Sequence, residues 1–279
     1  MADNYLKHKT LVITGAASGF GRLVAQMTAS LGARVVAADV NVEGAQDVVE
    51  GINNTDGQAI AVACDVTDQA QMHGLIARAV ETYGSVDIMI NNAGVMPLAF
   101  FADHNNASAA WDRCIDINLK GVLHGMVAAY DQMIAQGRGH IVNLSSIYSN
   151  FPVAGAGVYG ATKAAVNFLS ESMRVESQGK IKVTVVRPTG VPTTNLATGV
   201  VNPEAVVGIL GQNAGPYGQL MQAAATGELP PENTHRDYIE YMALEPEQLA
   251  GQIVHALNQP WGVVVSDITV RASGEGYVL

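Results

Sequence analysis

The chain has 279 residues, of which 48% are hydrophobic and 14% charged, and its formal net charge is −10. This length and composition fit one large α/β domain with ample apolar material for a buried core. The acidic balance, without a Lys/Arg cluster, argues against nucleic acid as a partner, and no apolar run reaches the ~20 residues needed to cross a bilayer. Because the start lacks an apolar leader and Cys64 and Cys114 show no paired spacing, we expect a soluble, cytoplasmic protein without a membrane partner.

Short apolar runs alternate with helical patterns along most of the chain. The predicted strands are Thr10–Thr14, Arg34–Ala38, Ala59–Ala63, Val86–Ile90, His140–Leu144, Lys182–Val186 and Val263–Val270. The predicted helices are Phe20–Leu31, Glu43–Asn53, Asp68–Tyr83, Ser108–Gln136, Val158–Ser177 and Glu247–Leu257. Strands that are apolar throughout are covered on both faces. The alternation therefore predicts an α/β fold, a Rossmann-type doubly wound parallel sheet, with ligands at the carboxyl ends of its strands.

The alternation breaks off after Val186. Scattered glycines and prolines separate short helical patches at Pro203–Leu210 and Gly218–Ala225, and no linker splits off a second domain. We interpret residues 194–245, approximately, as a helical lid inserted into a single domain that spans residues 1–279.

A glycine-rich turn joins the first predicted strand to the first helix, where residues 14–21 read Thr-Gly-Ala-Ala-Ser-Gly-Phe-Gly. Glycine lets the backbone turn sharply and approach a pyrophosphate, whose charge is favoured at a helix N-terminus. The spacing G-x-x-x-G-x-G differs from the more familiar G-x-G-x-x-G. Taken alone, the motif leaves an ordinary structural turn open.

Asp39 ends the second predicted strand. A carboxylate there can accept hydrogen bonds from both ribose hydroxyls of an adenosine. A 2′-phosphate would instead meet a like charge, and neither Ser18, Val40 nor Asn41 supplies a compensating base. The sequence predicts NAD rather than NADP as the cofactor, with an ordinary surface aspartate as the alternative.

Tyr159 and Lys163 are four residues apart in a predicted helix and therefore share a face. Lowering a tyrosine pKa from ~10 to ~7 requires about 4 kcal/mol. A cation ~4 Å away at an effective dielectric constant of ~20 supplies about that much. We interpret Tyr159 as a proton-transfer residue, although such a pair also occurs on ordinary helix surfaces.

Together these motifs resemble the short-chain dehydrogenase/reductase family, which combines T-G-x-x-x-G-x-G with N-N-A-G and Y-x-x-x-K. The N-N-A-G motif is present as residues 91–94, after the fourth predicted strand, and Asp65-Val66 follows the third. The resemblance runs from about Lys9 to Val191 and again through the last helix and strand. It implies an enzyme that moves a hydride between a nicotinamide cofactor and an alcohol or ketone.

The resemblance also implies roles at matching positions. Ser146, which the family's spacing to the tyrosine selects over Ser145, would hydrogen-bond the substrate oxygen. Asn118 would hold a water in the proton relay, and Lys163 would also hold the nicotinamide ribose. The implied cofactor positions are Gly15, Ser18, Gly19, Phe20, Asp39, Val40, Asp65, Val66, Asn92, Ala93, Gly94, Tyr159, Lys163, Pro188, Gly190, Val191 and Thr193.

Two stretches depart from the family pattern. Thr189 is added between Pro188 and Gly190 in the segment that resembles P-G-x-V-x-T, and residues 265–270 lack the V-D-G-G that closes many members. We therefore expect the tail Arg271–Leu279 to pack or assemble differently.

The substrate is indicated only by class. The lid is rich in Leu, Val, Met and Ala and carries Tyr217, Tyr238 and Tyr241. This composition favours an apolar, fairly large substrate such as a cyclic, aryl or steroid-like alcohol, with ordinary helix packing as the alternative. The predicted pocket residues are Met96, Ser146, Tyr148, Tyr159 and Leu196.

Three further expectations follow from the same motifs. The seven histidines show no metal-ligand spacing, so we expect metal-free catalysis. We expect a homodimer or homotetramer formed through the helices Ser108–Gln136 and Val158–Ser177. A sugar-nucleotide epimerase or dehydratase, or a catalytically silent NAD-binding sensor, remains an alternative function.

Overall fold

Seven parallel strands form one sheet in a computed structural model that describes residues 3–191 and 195–278. The strands are β1 (Thr10–Thr14), β2 (Arg34–Asp39), β3 (Gln58–Ala63), β4 (Ile88–Asn91), β5 (Gly139–Leu144), β6 (Ile181–Pro188) and β7 (Asp267–Val270). Their spatial order is β3-β2-β1-β4-β5-β6-β7. The sheet confirms the predicted Rossmann-type single domain.

Helices cover both faces of this sheet. They are α1 (Gly19–Ser30), α2 (Val42–Asn53), α3 (Gln69–Tyr83), α4 (His104–Ile115), α5 (Val122–Ala135), α6 (Gly157–Glu176), α7 (Ala214–Thr226), α8 (Pro231–Thr234) and α9 (Pro246–Leu257). Two large buried clusters, one including Leu11, Val142 and Ile253 and the other Val12, Met126 and Val183, cover the two faces. Both faces of the strands are therefore apolar, as their uninterrupted hydrophobic runs predict.

The sheet reverses its direction of winding at β1, which pairs with β2 on one side and β4 on the other. Connections leave β1 and β4 toward opposite sides at this point, so a crevice opens at the carboxyl ends of the two strands. The glycine-rich turn follows β1 and the N-N-A-G motif begins at the last residue of β4. The topology thus brings two separate motifs to one crevice.

The long helix predicted over Ser108–Gln136 is interrupted. Between α4 and α5, residues Asp116–Gly121 form a π-helix, in which Asn118 is fully buried. A π-helical turn inserted in an α-helix often accompanies a functional site. The spacing of apolar residues did not predict this interruption, because a helical pattern does not show where i→i+5 hydrogen bonds replace i→i+4 bonds.

The last strand is shorter than the predicted Val263–Val270. The side chains of Lys182 and Thr184 donate to the carbonyl oxygens of Val263 and Val265, at 2.9 and 2.7 Å. Pairing with β6 accordingly begins only at Asp267. Side-chain donors from the neighbouring strand thus replace backbone pairing over the first part of the apolar run.

The region interpreted as a lid contains several short helical segments. A 3-10 helix spans Asn195–Gly199, and a second helical segment, Pro203–Asn213, is kinked at Gly211, where φ is 51° and ψ is −124°. Ala205, Ile209 and Leu210 of the second segment are buried, whereas none of the described side chains of α7 is. Within the described residues, no helix is both long and apolar enough to cross a membrane.

Candidate active site

The glycine-rich turn is held against the N-N-A-G motif by the Asn92 side chain. Its amide nitrogen donates to the carbonyl oxygens of Thr14 and Gly15, at 2.9 and 3.0 Å. The Thr14 hydroxyl oxygen in turn accepts from the backbone nitrogens of Asn92 and Ala93, at 3.1 and 3.3 Å. These bonds join the ends of two adjacent strands and fix the shape of the crevice between them.

The same turn offers the geometry that a pyrophosphate requires. Gly15 has a φ of 66°, and a Cβ added there would lie 2.9 Å from the Cα of Ala93, so no larger residue fits. Gly19 has a φ of 52° and nothing within 4 Å of an added Cβ, which leaves open space at the start of α1. Ser18 makes no side-chain hydrogen bond to the first turn of α1. A dinucleotide phosphate therefore fits this cradle.

Asp39 lies beside the glycine-rich turn. One carboxylate oxygen accepts from the backbone nitrogen of Ala17 at 3.0 Å and the other from that of Asn41 at 2.9 Å. Each oxygen keeps acceptor capacity for a further hydroxyl. The neighbouring Val40 is 65% exposed. The carboxylate is thus oriented, and it still has capacity to accept a ribose hydroxyl.

Asp65 and Val66 follow β3 on the same side of the sheet. The Asp65 carboxylate accepts from the backbone nitrogen and hydroxyl of Thr67, at 2.9 and 2.8 Å. The carbonyl oxygen of Val66 lies 2.9 Å from Nδ1 of His124. These bonds give the loop after β3 a defined conformation next to the predicted adenosine position.

Tyr159 and Ser146 form the centre of the predicted catalytic group. Burial raises the pKa of the Tyr159 phenol well above its usual value, whereas the neighbouring Ser146 hydroxyl lowers it. The Ser146 oxygen also accepts from the backbone nitrogen of Tyr148 at 3.2 Å. The phenol is therefore a neutral acid at neutral pH, and its pKa responds to the hydroxyl predicted to hold the substrate oxygen.

Lys163 is buried beneath Tyr159. Its ammonium donates to the carbonyl oxygen of Leu144 at 2.7 Å and lies 5.8 Å from the centre of the Tyr159 ring. Burial lowers the pKa of Lys163 to about 8. The sequence predicted a lowered pKa for Tyr159, but the structure indicates a raised one. The Lys163 ammonium is hydrogen-bonded to the Leu144 carbonyl oxygen, and burial of the phenol, which disfavours its charged form, dominates the shift.

Asn118 connects the π-helix to the N-N-A-G motif. Its side chain donates to the carbonyl oxygen of Val95 at 2.8 Å and accepts from the Val95 nitrogen at 2.9 Å. A Cβ added to Gly94 would lie 3.3 Å from Oδ1 of Asn118 and 3.6 Å from Nζ of Lys163. Asn118, Gly94 and Lys163 thus meet at one point, and the water-holding role of Asn118 stays a prediction.

Comparisons with known proteins identify the family to which this chain belongs. The sequence model of the family described as short chain dehydrogenase matches residues 9–204. This chain belongs to the short-chain dehydrogenase family. An oxidoreductase of Listeria monocytogenes is 34% identical over 270 residues, which are 97% of this chain and 98% of that protein.

Two solved structures of short-chain dehydrogenases resemble the fold and contain different cofactors. A metagenomic enzyme in complex with NADP is 26% identical with a TM-score of 0.72, covering 95% of this chain and 97% of that one. An enzyme from Burkholderia phymatum in complex with NAD is 28% identical with a TM-score of 0.71, covering 90% of this chain and 86% of that one. The chain is thus similar to both NAD and NADP complexes.

The predicted second cofactor segment of this short-chain dehydrogenase begins where β6 ends. Pro188 is the last residue of β6, and the Thr189 hydroxyl donates to the carbonyl oxygen of Val270 at 3.0 Å. Val191 is buried in a small cluster against which Phe20, from the start of α1, also packs. The two predicted cofactor segments therefore meet, and Thr193 lies outside the described residues.

Two of the predicted pocket residues, Met96 and Tyr148, lie close to Tyr159. Met96 and Tyr148 pack against the buried cluster that contains Tyr159, and the Tyr148 and Tyr159 rings are 5.6 Å apart in an edge-to-face arrangement. Burial raises the pKa of Tyr148 to about 12, so this phenol also stays neutral. Leu196 is half-buried in the first described turn of the lid.

Several contacts of the site carry no signal in the sequence. Thr14 and the Leu144 carbonyl act through bonds to residues distant in the chain. Ser145, rejected as the catalytic serine, donates its hydroxyl to the carbonyl oxygen of Lys163 at 3.1 Å. Tyr277 of the C-terminal tail lies against Gly190. Only the position of Ser145 within a Ser-Ser pair could have drawn attention to it.

Proposed function

We propose that this chain is an NAD-dependent oxidoreductase that interconverts a secondary alcohol and a ketone, with Tyr159 as the acid and base. The observation that carries the proposal is the burial of Ser146, Tyr159 and Lys163 in one group, in which the Ser146 hydroxyl lowers the pKa of the Tyr159 phenol and the Lys163 ammonium lies one helical turn further along α6. Ser146 follows β5, which pairs with β4, so these groups lie next to the crevice at the carboxyl ends of β1 and β4, the expected position of the dinucleotide.

The chemistry divides between the cofactor and the protein. Bound NAD supplies the hydride acceptor, and its reduced form the donor. Ser146 holds the substrate oxygen, and Tyr159 gives a proton to that oxygen during reduction or takes one during oxidation. One hydride and one proton are thus exchanged per carbonyl group. Because burial keeps the Tyr159 phenol protonated, the chain is ready to act as the acid for ketone reduction at neutral pH.

Replacing Tyr159 tests the central assignment. Tyr159→Phe keeps the ring but removes the transferred proton, so kcat should fall by roughly 10²–10⁴-fold, as for other lost acid–base groups. Binding of NAD, measured by titration, should change little. Tyr5→Phe is the matched control, because Tyr5 bonds Asn258 and Asp3 far from the crevice. Near-normal turnover of Tyr159→Phe would contradict the assignment and shift attention to Tyr148.

The pH dependence of the two directions provides a second test. Because the raised pKa of Tyr159 keeps it protonated, oxidation, which needs the base, should become faster as pH rises from about 7 to about 10, while reduction should become slower. Above the Lys163 pKa of about 8, loss of the ammonium should also raise KM for NAD. Initial rates in both directions across this range measure the effect, and parallel profiles for oxidation and reduction would oppose it.

The preference for NAD rests on Asp39. Its oriented carboxylate favours ribose hydroxyls and repels a 2′-phosphate. The proposed substrate class rests on the apolar cluster around Tyr159, which includes Leu98, Ala156 and Ala205, and on residues 195–245 acting as the lid of the substrate pocket.

We further propose that the protein is cytoplasmic, since Cys64 and Cys114 are free and buried.

A panel of secondary alcohols and ketones of graded size, assayed with NAD and its reduced form, tests the substrate class. We expect the highest kcat/KM with cyclic, aryl or steroid-like compounds. Binding of NAD without turnover of any compound in the panel would favour the silent sensor instead.

A further inference from the structure

The C-terminal tail is fixed to the lid at three points. The backbone nitrogen of Val278 donates to the carbonyl oxygen of Ile209 at 3.1 Å, and the Asn213 side chain donates to the carbonyl oxygen of Gly276 at 2.9 Å. The backbone nitrogen of Gly274 donates to the carbonyl oxygen of Tyr241 at 2.8 Å. The tail is therefore joined to the region interpreted as the lid rather than merely following β7.

Bonds within the tail stabilise its conformation, and one of its residues lies beside the predicted cofactor segment. Arg271 forms an ion pair with Glu275 and donates to the carbonyl oxygen of Tyr277 at 3.1 Å. The Glu275 side chain is only 3% exposed. Burial raises the pKa of Glu275, while Thr189 and Arg271 lower it. Glu275 thus lies beside Thr189, the residue that departs from the family pattern.

Tyr277 lies directly against Gly190. A Cβ added to Gly190 would lie 2.1 Å from the Tyr277 hydroxyl oxygen and 2.5 Å from its ring. Only glycine at position 190 leaves room for this ring, because any other residue would collide with it. The contact places a phenol from the tail on the segment predicted to hold the nicotinamide end of the cofactor.

On its other side Tyr277 approaches the catalytic residues. It packs against the same small cluster as Tyr148, whose core includes Ile147, the residue after Ser146. Its ring lies 6.3 Å from that of Tyr217 in the lid. Burial is the main cause that raises the pKa of Tyr277, followed by the neighbouring Tyr217 phenol. Tyr277 is therefore a neutral phenol between Gly190 and the wall formed by Tyr148.

We propose that Tyr277 is a specificity-determining residue, whose ring closes the substrate pocket between Gly190 and Tyr148 and limits the size of the group that the substrate carries there. This inference rests on the proposed function for its substrate class. The tail positions Tyr277 through its bonds to the lid, so the pocket is complete only when both pack together.

Replacing Tyr277 by a small residue should change the ranking of substrates by size. Tyr277→Ala should raise kcat/KM for the largest alcohols of a graded series relative to the smallest by about 10- to 200-fold, the range typical of groups added to an apolar pocket. Tyr277→Phe keeps the ring and should keep the wild-type ranking. Tyr5→Ala is the control for removing a tyrosine elsewhere. An unchanged ranking in Tyr277→Ala, whatever its thermal stability, would overturn the proposal.

A binding measurement separates this inference from the proposed function. Thermal shifts with the same series of ketones are recorded for Tyr159→Phe and for Tyr159→Phe/Tyr277→Ala, both with reduced NAD present. The double variant should bind the larger ketones better relative to the smaller ones. If the wild type turns over none of these compounds but the binding ranking still changes, the proposed reaction fails and the role of Tyr277 stands. If the two rankings coincide, the role of Tyr277 fails.

Discussion

At the scale of single residues, we expect the cofactor choice to depend on Asp39, whose carboxylate is already oriented by the backbone nitrogens of Ala17 and Asn41. We expect the unmodified enzyme to prefer NAD strongly and Asp39→Ala/Val40→Arg to shift the preference toward NADP. Losing a hydrogen bond to a charged group removes about 1.5–3 kcal/mol, which corresponds to a decrease of roughly 10- to 150-fold in kcat/KM with NAD. Val40→Arg alone is the control and should still prefer NAD, and equal kcat/KM values for both cofactors in the unmodified enzyme would refute the assignment.

His140 makes stability depend on pH. Its Nε2 lies 2.8 Å from the Thr184 hydroxyl, which itself donates to Val265, so Nε2 must carry the proton. Burial, followed by the charge of Lys182, lowers the pKa of His140 to about 3. The unfolded chain takes up a proton below about pH 6.5 while the folded chain does not, so stability falls as pH drops, by up to about 1.4 kcal/mol per pH unit.

Removing this histidine should flatten the dependence. Between pH 6.5 and pH 4, the free energy of unfolding measured with urea should decrease less in His140→Gln than in the wild type. At pH 7, the free energy of unfolding of His140→Gln should be lower than that of the wild type. His73→Gln, on the exposed surface of α3, is the matched control and should follow the wild type. The same pH slope in His140→Gln and in the wild type would show that another group is responsible.

At the scale of elements, the turn between β1 and α1 depends on glycine because of what packs against it. Gly15→Ala combines a positive φ with an approach of 2.9 Å to Ala93. It should lower the free energy of unfolding by about 1–3 kcal/mol and weaken NAD binding. Gly74→Ala is the control, because an added Cβ in α3 meets nothing within 4 Å and should stabilise the helix by about 0.5–1 kcal/mol. Equal urea midpoints and NAD affinities for the two variants would contradict this explanation.

At the scale of the whole molecule, apolar side chains are exposed on α5 and α6, the two helices expected to form an interface between copies of the chain. Leu123 and Val127 of α5 are about two-fifths exposed, and Phe168 of α6 is 75% exposed. Such residues on adjacent helices are typical of a surface covered by a second copy. We predict a dimer or tetramer, which Phe168→Glu should dissociate.

Light scattering at micromolar concentration measures this outcome. Ile239→Glu, which places the same charge at an exposed position in the lid, should leave the assembly intact. A monomeric wild type would reject the prediction, and an unchanged mass in Phe168→Glu would move the interface to another surface.

Much of the molecule is predictable from local sequence. Several signals are contained within a few residues or one helical turn, because backbone conformation and side-chain direction are set locally. They are the alternation of strands and helices, the glycine-rich turn, Asp39 and the spacing of Tyr159 and Lys163. The structure has the predicted sheet, with the turn and Asp39 where they were expected. The family motifs added Asn118 and Ser146, which no periodicity reveals.

Other features were decided only by tertiary structure. Asn92 bonds Thr14 and Gly15, Lys163 bonds the Leu144 carbonyl, and Tyr277 occupies the space beside Gly190. Each joins segments far apart in the chain, so its partner cannot be read from neighbouring residues. The pKa of Tyr159 shows the same limit, since spacing placed a lysine near it but burial, a property of the whole fold, set the direction of the shift.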